Sequence, residues 1–224
     1  MTGAQASLPR PRIIAIDGPA AAGKGTLARR LARHLGYAYL DTGLLYRAVG
    51  VKTLQAGCDP EDATAATAAA ERLAAADLDD GALRGDAAAA AASKVAAIPG
   101  VRRALLDFQR RFAAEPPGGA PGAVLDGRDI GTVVCPDADL KLFVTAALEV
   151  RAERRLKELR QRGLEAIDSR VLREMQERDA RDSARAVAPL EPAGNAVVID
   201  TSELGPDAVF AAARAAFEAV TRSA

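Results

Sequence analysis

The chain has 224 residues, 49% of them hydrophobic and 27% charged, enough for one α/β domain with a sizeable core. Thirty basic residues balance thirty acidic ones, so no global positive field draws nucleic acid, and any anion site must be local. Cys58 and Cys135 lack metal-ligand spacing, His34 is the only histidine, and no apolar run is long enough to cross a bilayer. These features argue against a metal cluster, a histidine-based triad and a membrane span, and a cytoplasmic, reduced setting is expected.

Residues 1–11 read as a disordered, proline-containing leader, and residues 12–224 as a single domain. The β-branched run Arg12–Ile16 predicts the first strand. A glycine-bounded loop follows, then a helix over Lys24–Leu35 with Leu27, Leu31 and Leu35 on one face. Tyr37–Leu40 predicts a short strand ending at Asp41-Thr42-Gly43, and Leu44–Gln55 a helix stopped by Gly57. Residues 60–98 are alanine-dominated and predict two short helices at an edge of the molecule. Turns are expected at Asp79-Asp80-Gly81 and Arg84-Gly85-Asp86. Within that stretch Ala87–Ala92 has little bulk to specify packing, and it reads as filler rather than as a binding element.

A helix is expected over Val101–Ala114, ended by Pro116-Pro117-Gly118-Gly119. Ala123–Leu125 is a strand leading into Asp126-Gly127-Arg128-Asp129, and Leu140–Thr145 is a buried strand. Two charged helices follow, Leu148–Arg162 and Ile167–Ala184, then a fifth strand, Ala196–Ile199, and a last helix, Asp207–Thr221. Short apolar strands alternating with helices predict a five-stranded parallel sheet covered on both faces. Ligands of such sheets bind beyond the carboxyl ends of the strands. The glycine loop, Thr42, Asp126–Arg128 and Asp200 all follow strand ends and can converge there.

The loop Gly18-Pro19-Ala20-Ala21-Ala22-Gly23-Lys24-Gly25-Thr26 carries the first chemistry. Its glycines allow a tight wrap in which backbone N–H groups point inward at an anion. Lys24 adds a point charge for β- and γ-phosphates, and its head is expected to face solvent before nucleotide binds. The following helix aims its positive dipole end at the same place. Gly25 stands where the strict pattern has Ser or Thr, and Gly-x4-Gly-Lys-Gly-Thr is the variant typical of small nucleoside monophosphate kinases. Asp126 can hold the water shell of Mg²⁺ beside the phosphates, with Thr26 as a second candidate neighbour of the metal. Arg151, Arg154 and Arg155 share a helical face, and Arg178, Asp182 and Arg185 recur at helical spacing farther on. Two arginine-rich helices joined by Gly163 predict a helical lid, about residues 148–185, over a transferring phosphate.

These pieces resemble bacterial cytidylate kinase. The matching segments are Ile16-Asp17-Gly18-Pro19 with Gly23-Lys24-Gly25-Thr26, Leu40-Asp41-Thr42-Gly43 with Tyr46-Arg47, and Ala92-Ser93-Lys94-Val95-Ala96. They continue with Val101-Arg102, Asp126 through Val134, and Glu177-Arg178-Asp179 to Arg185-Ala186-Val187-Ala188-Pro189-Leu190. The resemblance implies a P-loop kinase fold with ATP as phosphoryl donor, Mg²⁺, and CMP or dCMP as substrates. It places the ATP phosphates on Gly18–Thr26 and the cytidine near Thr42, Ser93, Arg102 and Asp129. Arg47, Arg128 and Arg185 would hold the acceptor phosphate, with Arg178 and Asp182 by its sugar or phosphate. Lys24, Arg128, Arg151, Arg154 and Arg155 would act on the transferring group. The chain departs from the family in two places. Thr42 replaces the more usual serine, and residues 77–92, within a shortened insert at about 57–92, replace a longer one that forms a small sheet over the monophosphate in many members. A monomer is expected. The remaining readings are a kinase for UMP or another small acceptor and a regulatory ATP-binding module without turnover. Several arginines for a second phosphate argue against the module.

Overall fold

The computed structural model describes residues 11–79, 81–163 and 167–222, so residues 1–10 of the expected leader lie outside it. Five strands form one parallel sheet: β1 (Arg12–Asp17), β2 (Ala38–Asp41), β3 (Gly122–Asp126), β4 (Leu140–Thr145) and β5 (Val197–Asp200). Their order is β2-β3-β1-β4-β5. Alternation along β1 sends Ile14 and Ile16 to one face and Ala15 to the other. The first face packs under α1 (Lys24–Leu35) and α8 (Pro206–Arg222), through Leu27, Leu31, Val209 and Ala213. The second packs under α5 (Pro99–Ala114) and the segment Ile130–Val134. Each fully buried Leu or Ile contributes about 2 kcal/mol by leaving water.

Helix ends follow local chemistry. Gly23 and Gly36 bracket α1 with positive φ, and Arg33 and His34 in its last turn suit the negative end of the dipole. Asp62 caps α3 (Ala63–Glu71) by accepting from the backbone N–H groups of Thr64 and Ala65.

The alanine-dominated stretch is not filler. It forms α4 (Asp86–Val95), which crosses α2 (Thr42–Gln55) at very close range. A Cβ at Gly50 would lie 2.7 Å from the Ala91 Cβ. Small side chains on both helices let the backbones approach, and α4 thereby delivers buried Ser93 to the cavity described below. Alanine is here a packing device, which a reading based on bulk alone misses.

The charged helices are α6 (Leu148–Gln161) and α7 (Asp168–Ser183). They form a hairpin over a small apolar cluster of Leu156, Leu159, Val171 and Met175, against which Ala21 packs. Gly163 follows α6 at φ 71, the left-handed conformation that ends helices. One element was not expected: Ile130–Val134 winds as a π-turn. Its entry is pinned from across the sheet, where the Asp17 carboxylate accepts from the N–H groups of Ile130 and Gly131, each at 2.8 Å.

Candidate active site

The phosphate loop joins β1 to α1 as the sequence predicts. Gly18 adopts φ 143, and a Cβ there would fall 1.9 Å from the Val144 carbonyl oxygen, so no other residue fits. Ala21 holds a left-handed φ of 58, a conformation its methyl group resists. Lys24 departs from expectation. Its head does not face solvent: the residue is 7% exposed, and Nζ donates to the Pro19 carbonyl at 3.0 Å. Burial, aided by Arg128, pushes its pKa down. An ammonium held in this way is poised to gain stability when an anion arrives.

A cavity of about 820 Å³ opens beyond the carboxyl ends of β1, β2 and β3. It brings Lys24 and Gly25 of the loop together with Thr42, Arg47, Ser93, Arg102, Arg128, Asp129, Arg178, Asp182 and Arg185. Thr42 donates its hydroxyl proton to the Asp126 carbonyl at 2.8 Å, tying the start of α2 to the end of β3. Arg47 donates to the Leu83 carbonyl at 2.8 Å. Arg102 ion-pairs with buried Asp129, donates to the Ala96 carbonyl at 3.1 Å and lies over the Tyr46 ring.

Asp182 gathers the arginines on one wall of the cavity. Arg128 donates to it at 2.9 Å, and Arg185 pairs with it from one helical turn on. Burial alone would raise the Asp182 carboxyl, but Arg128, Arg185 and Arg178 hold it below its usual range. Arg178 and Arg185 each bury an Nε without a hydrogen-bond partner. Unlike Arg185, Arg178 forms no side-chain ion pair among the described residues, and burial with nearby Arg128 lowers its pKa to about 9. A guanidinium N–H buried without an acceptor is costly unless an anion completes it.

Burial also pushes Asp126 up, and Asp41 adds like charge from the register position beside it. Asp17 rises to about 6 through burial, partly offset by its two backbone hydrogen bonds. A second, smaller pocket of about 240 Å³ lies on the other side of the loop, lined by Gly23, Thr26, Arg154, Thr201 and Leu204.

The hairpin arginines are not brought to one point. Arg151 is buried and donates to the Ala146 and Ala20 carbonyls and to Asp179, underpinning the loop. Arg154 donates to Thr201 in the smaller pocket. Of Arg151, Arg154 and Arg155, Arg155 alone lines the large cavity, paired with Asp86 of α4 and with Glu158. Asp126 and Thr26 likewise part company, one lining each pocket. Asp200 does not enter either pocket; it turns back to accept from Ser202. Its neighbour Thr201 takes the place expected of it. Arg181, whose run stood out in the sequence without receiving a role, lies in the cavity wall and donates to Ser93 Oγ at 3.2 Å.

A parallel sheet whose first strand feeds a phosphate loop, set against an arginine-lined cavity, places the chain in the class of P-loop kinases. A family model described as cytidylate kinase matches residues 14–219, and the chain belongs to that family. A cytidylate kinase from Paramagnetospirillum magneticum is 69% identical over 201 residues, covering 90% of this chain and 95% of the relative. One from Rhodospirillum rubrum is 64% identical, covering 90% and 94%. Among solved structures, an uncharacterized protein from Eubacterium ventriosum aligns at a TM-score of 0.51 and 14% identity. That alignment covers 94% of this chain and 98% of the other, and the likeness is one of fold alone.

Proposed function

We propose that this enzyme transfers the γ-phosphoryl group of ATP to CMP or dCMP, giving ADP and CDP or dCDP. The observation that carries the reading is one cavity that holds Lys24 together with Arg47, Arg128, Arg178 and Arg185. The loop serves one set of phosphates, and the arginines serve a second. A regulatory module has no use for the second set.

In this reading Gly18 through Thr26 cradle the donor phosphates, and the smaller pocket takes the donor nucleoside between Arg154 and Leu204. Arg47, Arg128, Arg178 and Arg185 hold the acceptor phosphate, with Asp182 fixing two of them in place. Asp129, Arg102 and Ser93 face the cytosine edge, and Thr42 lines the nucleoside. Asp129 accepts from the 4-amino group, the chemistry by which acidic side chains read that group in DNA. Uracil would present an acceptor to Asp129, and buried mismatched polar groups discriminate strongly.

Phosphoryl transfer asks for alignment and charge neutralisation rather than covalent help from the protein. Lys24 and Arg128 neutralise the transferring group, joined by Arg155, while Arg151 acts one step back by holding the loop. The residues present fit Mg²⁺: Asp126, raised by burial and by Asp41 beside it, offers hard oxygen donors whose repulsion a dication would relieve. Asp126 would hold that ion through its water shell, and the ion would supply positive charge at the donor phosphates. Residues 148–185 close as a lid that excludes water. The arginines for the acceptor phosphate all line one cavity of a single chain, which suits a monomer.

The test is ADP production from ATP with CMP, dCMP, UMP or no acceptor. CMP and dCMP should drive ADP formation strongly and UMP weakly. Acceptor-independent ADP formation, or none at all, would overturn the reading.

A further inference from the structure

We infer that Arg181, on α7, determines base choice by fixing the hydroxyl of Ser93, on α4, as a hydrogen-bond donor toward the acceptor nucleotide. This rests on the assignment of Ser93 to the cytosine edge. A serine hydroxyl has one proton and two lone pairs, and left free it rotates to give or to take. Here the Arg181 Nε–H donates to Ser93 Oγ at 3.2 Å. Ser93 is 2% exposed, and both residues line the large cavity. Thr53 spends its hydroxyl proton on the Val49 carbonyl of its own helix at 2.8 Å. Among the described residues, Ser93 makes no such bond.

An oxygen that already accepts from a cation is a poorer acceptor for a second donor, and its O–H is a stronger donor. The wall facing the base then reads as two donors and one acceptor: Ser93, Arg102 and the Asp129 carboxylate. Cytosine offers the complement, acceptors at O2 and N3 and a donor at the 4-amino group. Uracil carries N–H at position 3, so a serine held as donor opposes it, whereas a rotating serine would accommodate it. Arg181 is thus a positioning residue for specificity. Because it rides on α7, it also ties the hairpin's placement to the reading of the base.

The experiment compares wild type, Ser93→Ala, Arg181→Ala and the double variant, with kcat and KM measured for CMP and for UMP. Arg181 is exposed at the surface end of its contact, so its truncation opens no core cavity. Arg181→Ala should narrow the CMP-to-UMP ratio of kcat/KM about tenfold, mainly through a higher KM for CMP, with KM for ATP unchanged. In the Ser93→Ala background the same change should leave the ratio where Ser93→Ala put it. Arg181→Lys, which keeps a cationic donor, should recover part of the discrimination. If Ser93→Ala leaves the ratio at the wild-type value, the base-reading assignment of Ser93 fails and this inference fails with it. If Ser93→Ala narrows the ratio but Arg181→Ala does not, or if Arg181→Ala narrows it equally in both backgrounds, the inference alone is overturned.

Discussion

Helices α4 and α7 flank the same cavity and could hardly be less alike. α4 is alanine-rich and nearly featureless, and its stability comes from close backbone approach to α2 across Gly50 and Ala91. α7 bears charges at most turns and buries only Val171, Met175 and Asp182. The plain helix is the rigid wall. The charged helix is held by ion pairs that a ligand can rearrange, because Arg128 and Arg185, both outside it, share its Asp182, and the Nε of its own Arg178 is buried without a hydrogen-bond partner. Rigidity follows from packing density, and responsiveness follows from electrostatic need left partly unmet.

The largest effect is expected on the charged side. Arg178→Ala should lower kcat/KM for CMP by about 10²–10³, on the scale of removing one preorganised charge from a transferring group. Its unfolding free energy should change little, because the desolvation of its unpartnered Nε offsets its attraction to Asp182. Parallel loss of stability and activity would erase the contrast between the helices. On the packed side, Gly50→Val should destabilise the fold by about 3 kcal/mol, since the added methyl groups meet Ala91. Chemical denaturation measures this, and a neutral result would mean that α4 is not held by close approach.

Beneath both helices, Asp17 tests the floor of the site through pH. Its carboxyl rises from the ordinary 3.8 to about 6. Below pH 3.8 it is protonated in both folded and unfolded chains. Between 3.8 and about 6 the folded chain keeps a proton that the unfolded chain has lost, so stability falls as pH rises through that window, then levels off. The component amounts to about 3 kcal/mol. Asp17→Asn should remove it, so wild type and variant should differ in the slope of unfolding free energy between pH 4 and 6. Identical slopes would mean that Asp17 is not desolvated. The smallest effect is expected where the two sides touch. The Arg155–Asp86 pair is half exposed on the Asp86 side, and Asp86→Ala should change stability by about 0.5 kcal/mol or less in thermal or chemical unfolding.

Much of the fold was legible because its signals are local. The helix after the loop and the strand Leu140–Thr145 have the expected bounds, and the first strand runs one residue past its expected end, to Asp17. Their apolar periodicity and glycine stops lie within the segments themselves. The π-turn at Ile130–Val134 was not legible, because it depends on Asp17, more than a hundred residues away. The site residues were legible as a set and not as a geometry. Even spacing placed Arg151, Arg154 and Arg155 on one face, yet their long side chains reach the loop, Thr201 and Asp86 respectively. Helical spacing fixes where a side chain starts and says little about where a guanidinium ends. The loop lysine was misplaced for a related reason, since only the folded loop presents the Pro19 carbonyl to it.

The central claim is that α7 carries unmet positive charge for the acceptor's phosphate. The most direct test is calorimetric titration of wild type and Arg178→Ala with CMP and, separately, with cytidine. The account expects Arg178→Ala to weaken CMP binding at least tenfold while leaving cytidine binding unchanged. Equal weakening of both ligands, or of neither, would contradict it.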